Sequence, residues 1–227
     1  MAPPIARRTV LTDRLSIGLL VLTAVSGTVD AVSYLGLGHV FTANMTGNVV
    51  FLAFAAAGAP NISIGHSITA LATFLGGAVI GGYFSRRVPD SQRRRWFRVS
   101  AVCEAALLLA AAIAVLALDG DAAALQGRQY AVIVLTAVAM GFRNATVRQL
   151  AVPDLTTTTV VTMTLTGLAA DFTLVGGVHP SIWRRVALIA SLFVGAVIGA
   201  LLLRFGLAVP LIVAAVSVLA ATAYADT

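Results

Sequence analysis

The amino-acid sequence predicts an all-α, polytopic membrane protein: a helical bundle of six full spans plus two broken or re-entrant polar segments, arranged as two inverted repeats. Three observations support this prediction. The 227 residues are 59% hydrophobic and only 11% charged, with a mean hydropathy of +0.96. The arginines cluster between the apolar runs, and the two halves of the chain share short motifs at a nearly constant offset.

The apolar composition exceeds what a soluble domain of this length can hide from water. Apolar runs long enough to cross roughly 30 Å of hydrocarbon recur along the chain, at 15–37, 64–85, 98–118, 129–147, 184–204 and 206–224. The polar tail at 1–13 and the long first run do not fit a cleaved signal peptide, so we expect the N-terminal tail to be retained in the cytoplasm.

The positions of the arginines predict the topology. All 15 basic residues are arginine, and the positive-inside rule places arginine clusters in the cytoplasm. If residues 39–58 crossed the membrane, the arginine-rich connection after residue 85 would lie outside. Treating 39–58 and 152–171 as broken segments removes this conflict and leaves Arg128 and Arg204 outside. The alternative is eight full spans with an external N-terminus, which puts five arginines on the wrong side: Arg7, Arg8, Arg14, Arg184 and Arg185.

An internal repeat divides the chain into a first membrane repeat at 14–118 and a second at 128–227, joined by an external loop at 119–127. The string GAVIG occurs at 77–81 and again at 195–199, and two further motifs recur in the same order. Each half carries three spans, an odd number, so the halves are predicted to be inverted in the membrane. The small residues of GAVIG favour close helix packing within the chain, with a homodimer contact as the alternative.

Polar side chains in the two broken segments are candidate solute ligands. Inverted repeats with interrupted segments at matching places indicate the central site of a transporter, because irregular backbone at membrane depth must be buried in protein or wetted. The first segment, HVFTANMTGNVV, supplies Asn44, Thr46 and Asn48, and the threonine-rich second segment supplies Thr158 and Thr166. The alternative is that these side chains only hydrogen-bond the helices together.

Ionisable residues within the spans are further candidates. Asp30 lies inside the first span, where a charge is costly and should have a partner. Arg143 and the adjacent Asn144 occupy the corresponding place in the second half. We predict an ion pair between Asp30 and Arg143, with either a functional or a purely structural role. Glu104, the only glutamate, is expected to reach the membrane interface or to pair with Arg98.

No pattern typical of an enzyme or a metal site is present. The sequence lacks a nucleophile–base set, a glycine-rich phosphate loop and metal-ligand spacing, and the single cysteine, Cys103, excludes a disulfide framework. We therefore expect no catalytic residue, cofactor or metal. Nucleic-acid binding needs a solvated basic face, which this chain lacks. The expected partners are membrane lipid and a small-molecule solute.

Two longer stretches carry a family resemblance. The stretch GTVDAVSYLGLGHVFTANMTGNVV, together with GFRNATVRQLAVPDLTTTTVVTMTLTGLAAD, resembles the YoaK family of small bacterial inner-membrane proteins. The similarity runs from about Leu15 to Leu203. It implies a multi-pass protein of the bacterial inner membrane, and the arginine distribution adds that both termini are cytoplasmic. The resemblance implies no substrate and no mechanism.

Two classes of function fit these observations. The first is a secondary transporter or permease for a small polar solute, bound between the two broken segments and coupled to protons through Asp30. Helix N-termini aimed at the site favour an anionic solute, although neutral solutes are also compatible. The second is a non-transporting membrane assembly or lipid-organising protein whose polar residues are structural. The inverted repeat favours transport.

Overall fold

The computed structural model describes residues 14–60, 62–117, 122–150 and 180–226, and within these ranges the chain is helical, without a β-strand. Two 3-10 turns, Asp90–Gln92 and Leu203–Phe205, each connect two consecutive α-helices. The seven α-helices of the described ranges are α1 (Arg14–Gly36), α2 (Met45–Ala56), α3 (Ile64–Ser85), α4 (Arg93–Ala117), α5 (Ala122–Leu150), α6 (Pro180–Leu202) and α7 (Ala208–Asp226).

Six of these helices, all except α2, are long and apolar enough to cross a membrane. Large apolar side chains cover their outer faces; for example, Val79 is 70% exposed and Phe193 is 68% exposed. This confirms the prediction of a polytopic helical membrane protein. The structure also refines one boundary, because α5 begins at Ala122, inside the predicted loop at 119–127. The second polar segment, 152–171, lies outside the described residues.

The short helix α2 does not reach across a bilayer. It contains 12 residues, and at about 1.5 Å per residue it is roughly 18 Å long, against about 30 Å of hydrocarbon. The predicted broken segment at 39–58 therefore holds a half-helix. The alternative topology of eight full spans would need a full span here, which α2 does not provide.

Local sequence signals set several helix ends. Ser63 precedes α3, and its Oγ accepts a hydrogen bond from the His66 N–H at 3.2 Å, as a helix N-cap does. Pro180 is the first residue of α6. An N–H group at this position has no acceptor within the helix, so the lack of one in proline costs no hydrogen bond. Gly206 has φ +110°, a conformation open to glycine, which lets the chain turn between α6 and α7.

Helices α1 and α6 pack in parallel through glycine. A Cβ atom on Gly195 would collide with the Ala24 carbonyl oxygen, and one on Gly199 would lie 2.8 Å from the Thr28 carbonyl oxygen. The Thr28 hydroxyl also donates to the Gly195 carbonyl at 2.9 Å. Residue numbers rise together along both helices, so they run in the same direction with their backbones in direct contact.

Helices α3 and α5 pack in the same way. Gly77 faces the Val138 backbone and Gly81 faces Phe142. Gly77 precedes Gly195 by 118 positions, as Gly81 precedes Gly199. The residues that these glycines contact are also equivalent. Val138 in α5 follows Ala24 in α1 by 114 positions, as Phe142 follows Thr28. The packing interpretation of both GAVIG strings is therefore confirmed, and the two helix pairs are built alike.

Helix α1 runs antiparallel to α3, α5 and α7. Gly38, just after α1, lies against the His66 ring at the start of α3, and Tyr130, in the first part of α5, meets the same ring edge-on at 4.8 Å. At the other end of α1, Gly18 lies against Ala221 near the end of α7. One end of the bundle therefore holds the starts of α1, α4 and α6 and the ends of α3, α5 and α7.

Most arginines of the described helices lie at this end, which we call the arginine-rich end. They are Arg14, Arg93, Arg94, Arg95, Arg98, Arg148, Arg184 and Arg185, together with Arg86 and Arg87 directly after α3. Arg128 and Arg204 lie towards the opposite end. The fold therefore separates the arginines in the way that the sequence-based topology requires.

We predict that alanine at the close-packed glycines destabilises the protein. Gly195→Ala and Gly141→Ala place a methyl group against backbone atoms of Ala24 and Phe74, and such overpacking costs about 1–3 kcal/mol. Gly76→Ala is the matched control on α3, because its Cβ meets nothing within 4 Å, and alanine there should be neutral or slightly stabilising. Thermal unfolding in detergent measures the difference. Equal melting temperatures for all three variants would contradict this packing.

Candidate functional site

Asp30 in α1 binds the chain that leads into α2. Its Oδ1 accepts hydrogen bonds from the backbone N–H groups of Thr42, at 3.0 Å, and Ala43, at 2.7 Å. Its Oδ2 accepts a bond from the Asn44 side-chain amide at 2.5 Å. Asp30 is 5% exposed. Hydrogen bonds to a carboxylate are roughly twice as strong as neutral ones, so these three bonds hold the start of α2 against the middle of the bundle.

The chain reaches Asp30 by turning back after α1. Gly38 and His39 adopt positive φ angles of 90° and 61°, which reverse the chain. Asn48 in α2 then fixes the returning stretch, because its Oδ1 accepts from the Phe41 N–H at 2.9 Å and its Nδ2 donates to the Phe41 carbonyl at 2.5 Å. Since Gly38 also lies against His66 at the start of α3, the end of α1 and the start of α3 lie at the same end of the bundle.

The N-terminus of α2 therefore points its partial positive charge at the Asp30 carboxylate. Asn44 is the N-cap residue of α2, but its side chain makes no bond to its own helix and bonds Asp30 instead. The favourable interaction between an anion and a helix N-terminus is satisfied by Asp30. Beside it, the hydroxyl of Thr42 is buried and has no hydrogen-bond partner among the described residues.

A cavity of about 450 Å³ opens beside Asp30, between α1, the segment before α2, and α6. Its wall is mainly apolar and aromatic, and the polar groups that reach it converge from Asp30 and Asn44. Ligand sites typically combine an apolar wall with a few placed polar groups. The residues that line it are Gly27, Asp30, Ala31, Tyr34, Leu35, Phe41, Asn44, Leu192, Phe193, Ala196, Val197 and Ala200.

A second buried charge cluster joins α1, α4 and α5. Arg143 Nη1 contacts Glu104 Oε1 at 2.8 Å and donates to the Leu22 carbonyl at 3.0 Å, while Nη2 donates to the Ser26 hydroxyl. Glu104 is 1% exposed and Arg143 is 4% exposed. Ser26 precedes Asp30 by four positions, about one helical turn. The two charged sites therefore occupy successive turns of α1.

This cluster corrects two predictions. Arg143 pairs with Glu104, not with Asp30, because Asp30 already accepts three bonds from residues 42–44. Glu104 is buried in the bundle, so it does not reach the interface, and Arg143 is its ion partner. Glu104 was not among the predicted site residues. Its signal was present in the sequence, since it is the only glutamate of the chain and lies within an apolar span.

The other predicted site residues fall in different places. Asn44 reaches the cavity, whereas Asn48 is buried and fixes Phe41, and Thr46 is exposed on the outer side of α2. Asn144 is half-buried, 114 positions after Asp30 and hence at its equivalent place in α5. Thr158 and Thr166 lie outside the described residues. The aromatic side of the cavity, formed by Tyr34, Phe41 and Phe193, was not predicted.

The fold and the buried polar groups define a polytopic helical membrane protein in which the N-terminus of a half-helix binds a buried carboxylate. The chain belongs to the family described as protein of unknown function DUF1275, which it matches over residues 18–224. It is 36% identical over 155 residues to the UPF0700 transmembrane protein YoaK of Bacillus subtilis (strain 168). That alignment covers 68% of this chain and 65% of the relative, slightly less than two thirds of its length. The predicted family is confirmed, and no solved structure matches the chain.

Proposed function

We propose that this protein is a secondary transporter of the bacterial inner membrane, and that the cavity beside Asp30 is part of its solute site. The observation that carries the proposal is the half-helix α2, whose N-terminus meets a buried carboxylate at the wall of a cavity. Discontinuous helices with their ends at a central site are characteristic of secondary transporters. We propose no catalytic role and no cofactor for these residues.

The pairing of the helices supports an inverted repeat. The contacts of α1 with α6 and of α5 with α3 are equivalent under offsets of 114 and 118 positions. Each pair is parallel, whereas α1 and α5 run in opposite directions. An axis in the membrane plane that exchanges the two halves would produce this arrangement. Alternating access in repeat transporters arises from movement of one repeat against the other, and the glycine contacts lie between helices of the two halves.

The geometry favours a neutral or cationic solute over an anionic one. The sequence-based preference for an anion relied on helix N-termini in both polar segments. The Asp30 carboxylate already occupies that of α2, and the second segment lies outside the described residues. A second anion there would meet a like charge. Tyr34 and Phe41 stack at 5.0 Å at the cavity wall, and aromatic faces beside a carboxylate attract cations. We propose a small solute with at least one hydrogen-bond donor.

We propose that protonation of Asp30 couples the site to protons through the same bonds. Protonation would remove the negative charge that three donors share and would turn one acceptor oxygen into a donor. The start of α2 would then be held less tightly. A proton that reaches Asp30 from one side of the membrane could in this way release segment 39–44 and open the cavity.

The alternative is a non-transporting assembly or lipid-organising protein. One observation favours it: Asp30 accepts three bonds inside the chain, as a purely structural cap would. The two functions differ in one measurable respect. A structural Asp30 stabilises the fold without a solute, whereas a transport site changes its stability or its mobility when solute binds.

A screen of small solutes tests the proposal directly. Thermal stability of the purified protein would be measured with amines, polyols, neutral amides and carboxylates, and we expect stabilisation by members of the cationic or neutral classes. Asn44→Ala should weaken the response, as should Thr166→Val in the second polar segment. Val49→Ala is the control, because Val49 is 58% exposed on α2 and does not line the cavity. Stabilisation that survives Asn44→Ala unchanged would remove the site from the cavity.

Orientation is a separate prediction. The positive-inside rule places the arginine-rich end, with both chain termini, in the cytoplasm. In a Cys103→Ala background, Pro4→Cys, Asp90→Cys and Asp226→Cys should resist an impermeant maleimide applied to intact cells, whereas Asp119→Cys should react. Labelling of position 4 or 226 from outside would reverse the orientation.

A further inference from the structure

The outer face of α3 carries a groove that ends in two arginines. Leu75, Ala78, Val79, Gly82 and Tyr83 line it along one side of the helix, and Arg86 and Arg87 close it at the arginine-rich end. Its volume is about 560 Å³. It is distinct from the Asp30 cavity and shares no lining residue with it.

The dimensions of this groove match one leaflet of a bilayer. Leu75 on α3 and Arg86, the C-cap residue of α3, are eleven positions apart, which corresponds to about 16 Å along a helix axis. One leaflet contributes roughly 15 Å of hydrocarbon. Leu75 and Val79 are 61% and 70% exposed, so the apolar part of the groove faces lipid along the length of an acyl chain.

The polar end of the groove is suited to an anionic headgroup. Arg86 and Arg87 are both exposed, and the Arg87 guanidinium lies 3.5 Å from the centre of the Tyr83 ring. That contact orients a cation at the level where tyrosine side chains mark the membrane interface. Arginine binds phosphate through two parallel N–H groups, and basic residues next to a transmembrane helix attract anionic lipid headgroups.

A second groove at the same end repeats this chemistry. Arg95 and Arg98 lie beside the exposed side chains of Val99, Val102 and Cys103 on the first turns of α4, around a cavity of about 380 Å³. Spacings of three and four positions place these side chains on one helix face. Two helices that follow each other in sequence, α3 and α4, therefore each present an apolar, lipid-facing groove next to a pair of arginines.

We propose that the α3 groove binds an anionic phospholipid, with one acyl chain along Leu75 and Val79 and the phosphate held by Arg86 and Arg87. The site would fix a lipid in the leaflet at the arginine-rich end, next to the α3–α5 helix pair. This inference is independent of solute transport, since neither arginine touches the Asp30 cavity.

Native mass spectrometry of the full chain, titrated with phosphatidylglycerol and with phosphatidylethanolamine of the same acyl chains, tests the proposal. We expect the wild type to prefer phosphatidylglycerol. Because each arginine near the surface contributes about fivefold to anionic-lipid binding, Arg86→Gln combined with Arg87→Gln should weaken phosphatidylglycerol binding roughly 30-fold. Arg204→Gln, the position equivalent to Arg86 in the second half, is the matched control and should change binding less than twofold.

Two further measurements separate the lipid from other sources of negative charge. Val79→Trp fills the groove without changing the charge, and it should weaken binding of both lipids. Inorganic phosphate alone should not shift the thermal stability of the wild type. The proposal is overturned if the double arginine variant keeps its preference for phosphatidylglycerol, if Val79→Trp binds lipid like the wild type, or if inorganic phosphate stabilises the protein as strongly as the lipid does.

Discussion

Glu104→Ala is expected to be one of the most destabilising single substitutions in this protein. The change would leave the Arg143 guanidinium buried, with the Leu22 carbonyl and the Ser26 hydroxyl as its remaining partners. Removal of one member of a buried ion pair typically costs about 3–5 kcal/mol. In a chain of this size, each kcal/mol lowers the melting temperature by roughly 2–4 °C. Thermal unfolding in detergent should therefore show a decrease of about 6–20 °C.

The double substitution distinguishes a lost charge balance from a lost contact. Glu104→Met with Arg143→Met removes both charges and keeps apolar volume, so it should recover much of the stability that Glu104→Ala loses. Arg148→Ala serves as the surface control, because this arginine is exposed near the end of α5. If Glu104→Ala melted at the same temperature as Arg148→Ala, the buried pair would contribute nothing to the fold.

Asp30→Ala should release the start of α2. It leaves three donors without their acceptor: the backbone N–H groups of Thr42 and Ala43, and the Asn44 amide. An unsatisfied buried polar group costs about 1–3 kcal/mol, so we expect a loss of about 3 kcal/mol or more. Hydrogen exchange should report the cause, because the amides of Thr42 and Ala43 should exchange at least tenfold faster while those of α1 stay protected.

Thr23→Ala is the matched control on the same helix. The Thr23 hydroxyl donates to the Leu19 carbonyl of its own helix, so its removal should leave the exchange of residues 42–44 unchanged. Asp30→Asn should fall between the two, since its amide keeps one acceptor oxygen. Equal protection of Thr42 in the wild type and in Asp30→Ala would show that the carboxylate does not hold this segment.

The class of fold was predictable because the lipid bilayer restricts it so strongly. A long apolar run has to be a helix when no water can satisfy its backbone, and the arginines then limit how often the chain crosses. The half-helix α2 was predictable from the positions of the arginines. A full span at 39–58 would have placed Arg86, Arg87 and the following arginines on the wrong side of the membrane.

Side-chain partners were much less predictable. Asp30 and Arg143 occupy corresponding regions of the two halves, which suggested a pair, but pairing depends on how helices rotate and on which backbone groups come near. The returning chain at residues 42–44 supplied Asp30 with backbone donors that no sequence pattern displays. Arg143 instead pairs with Glu104 on α4, with 2.8 Å between Arg143 Nη1 and Glu104 Oε1.

The repeat shows the same limit. The two GAVIG strings indicated equivalent helices, and α3 and α6 are equivalent in their contacts. The strings could not show that each glycine meets the backbone of a helix from the other half of the chain. That exchange places α1 against α6 and α5 against α3, and it creates the cavity beside Asp30 from both halves.

Uptake by proteoliposomes that contain Asp30→Asn is the most direct test of the transport proposal. With a solute identified by the stability screen, we predict that proton-driven uptake falls by at least roughly tenfold, because the charge that holds the three donors is lost, while the folded protein remains in the membrane. Val49→Ala proteoliposomes should transport at the wild-type rate. Uptake that survives in Asp30→Asn, together with a lowered melting temperature, would contradict the proposal and assign Asp30 a structural role.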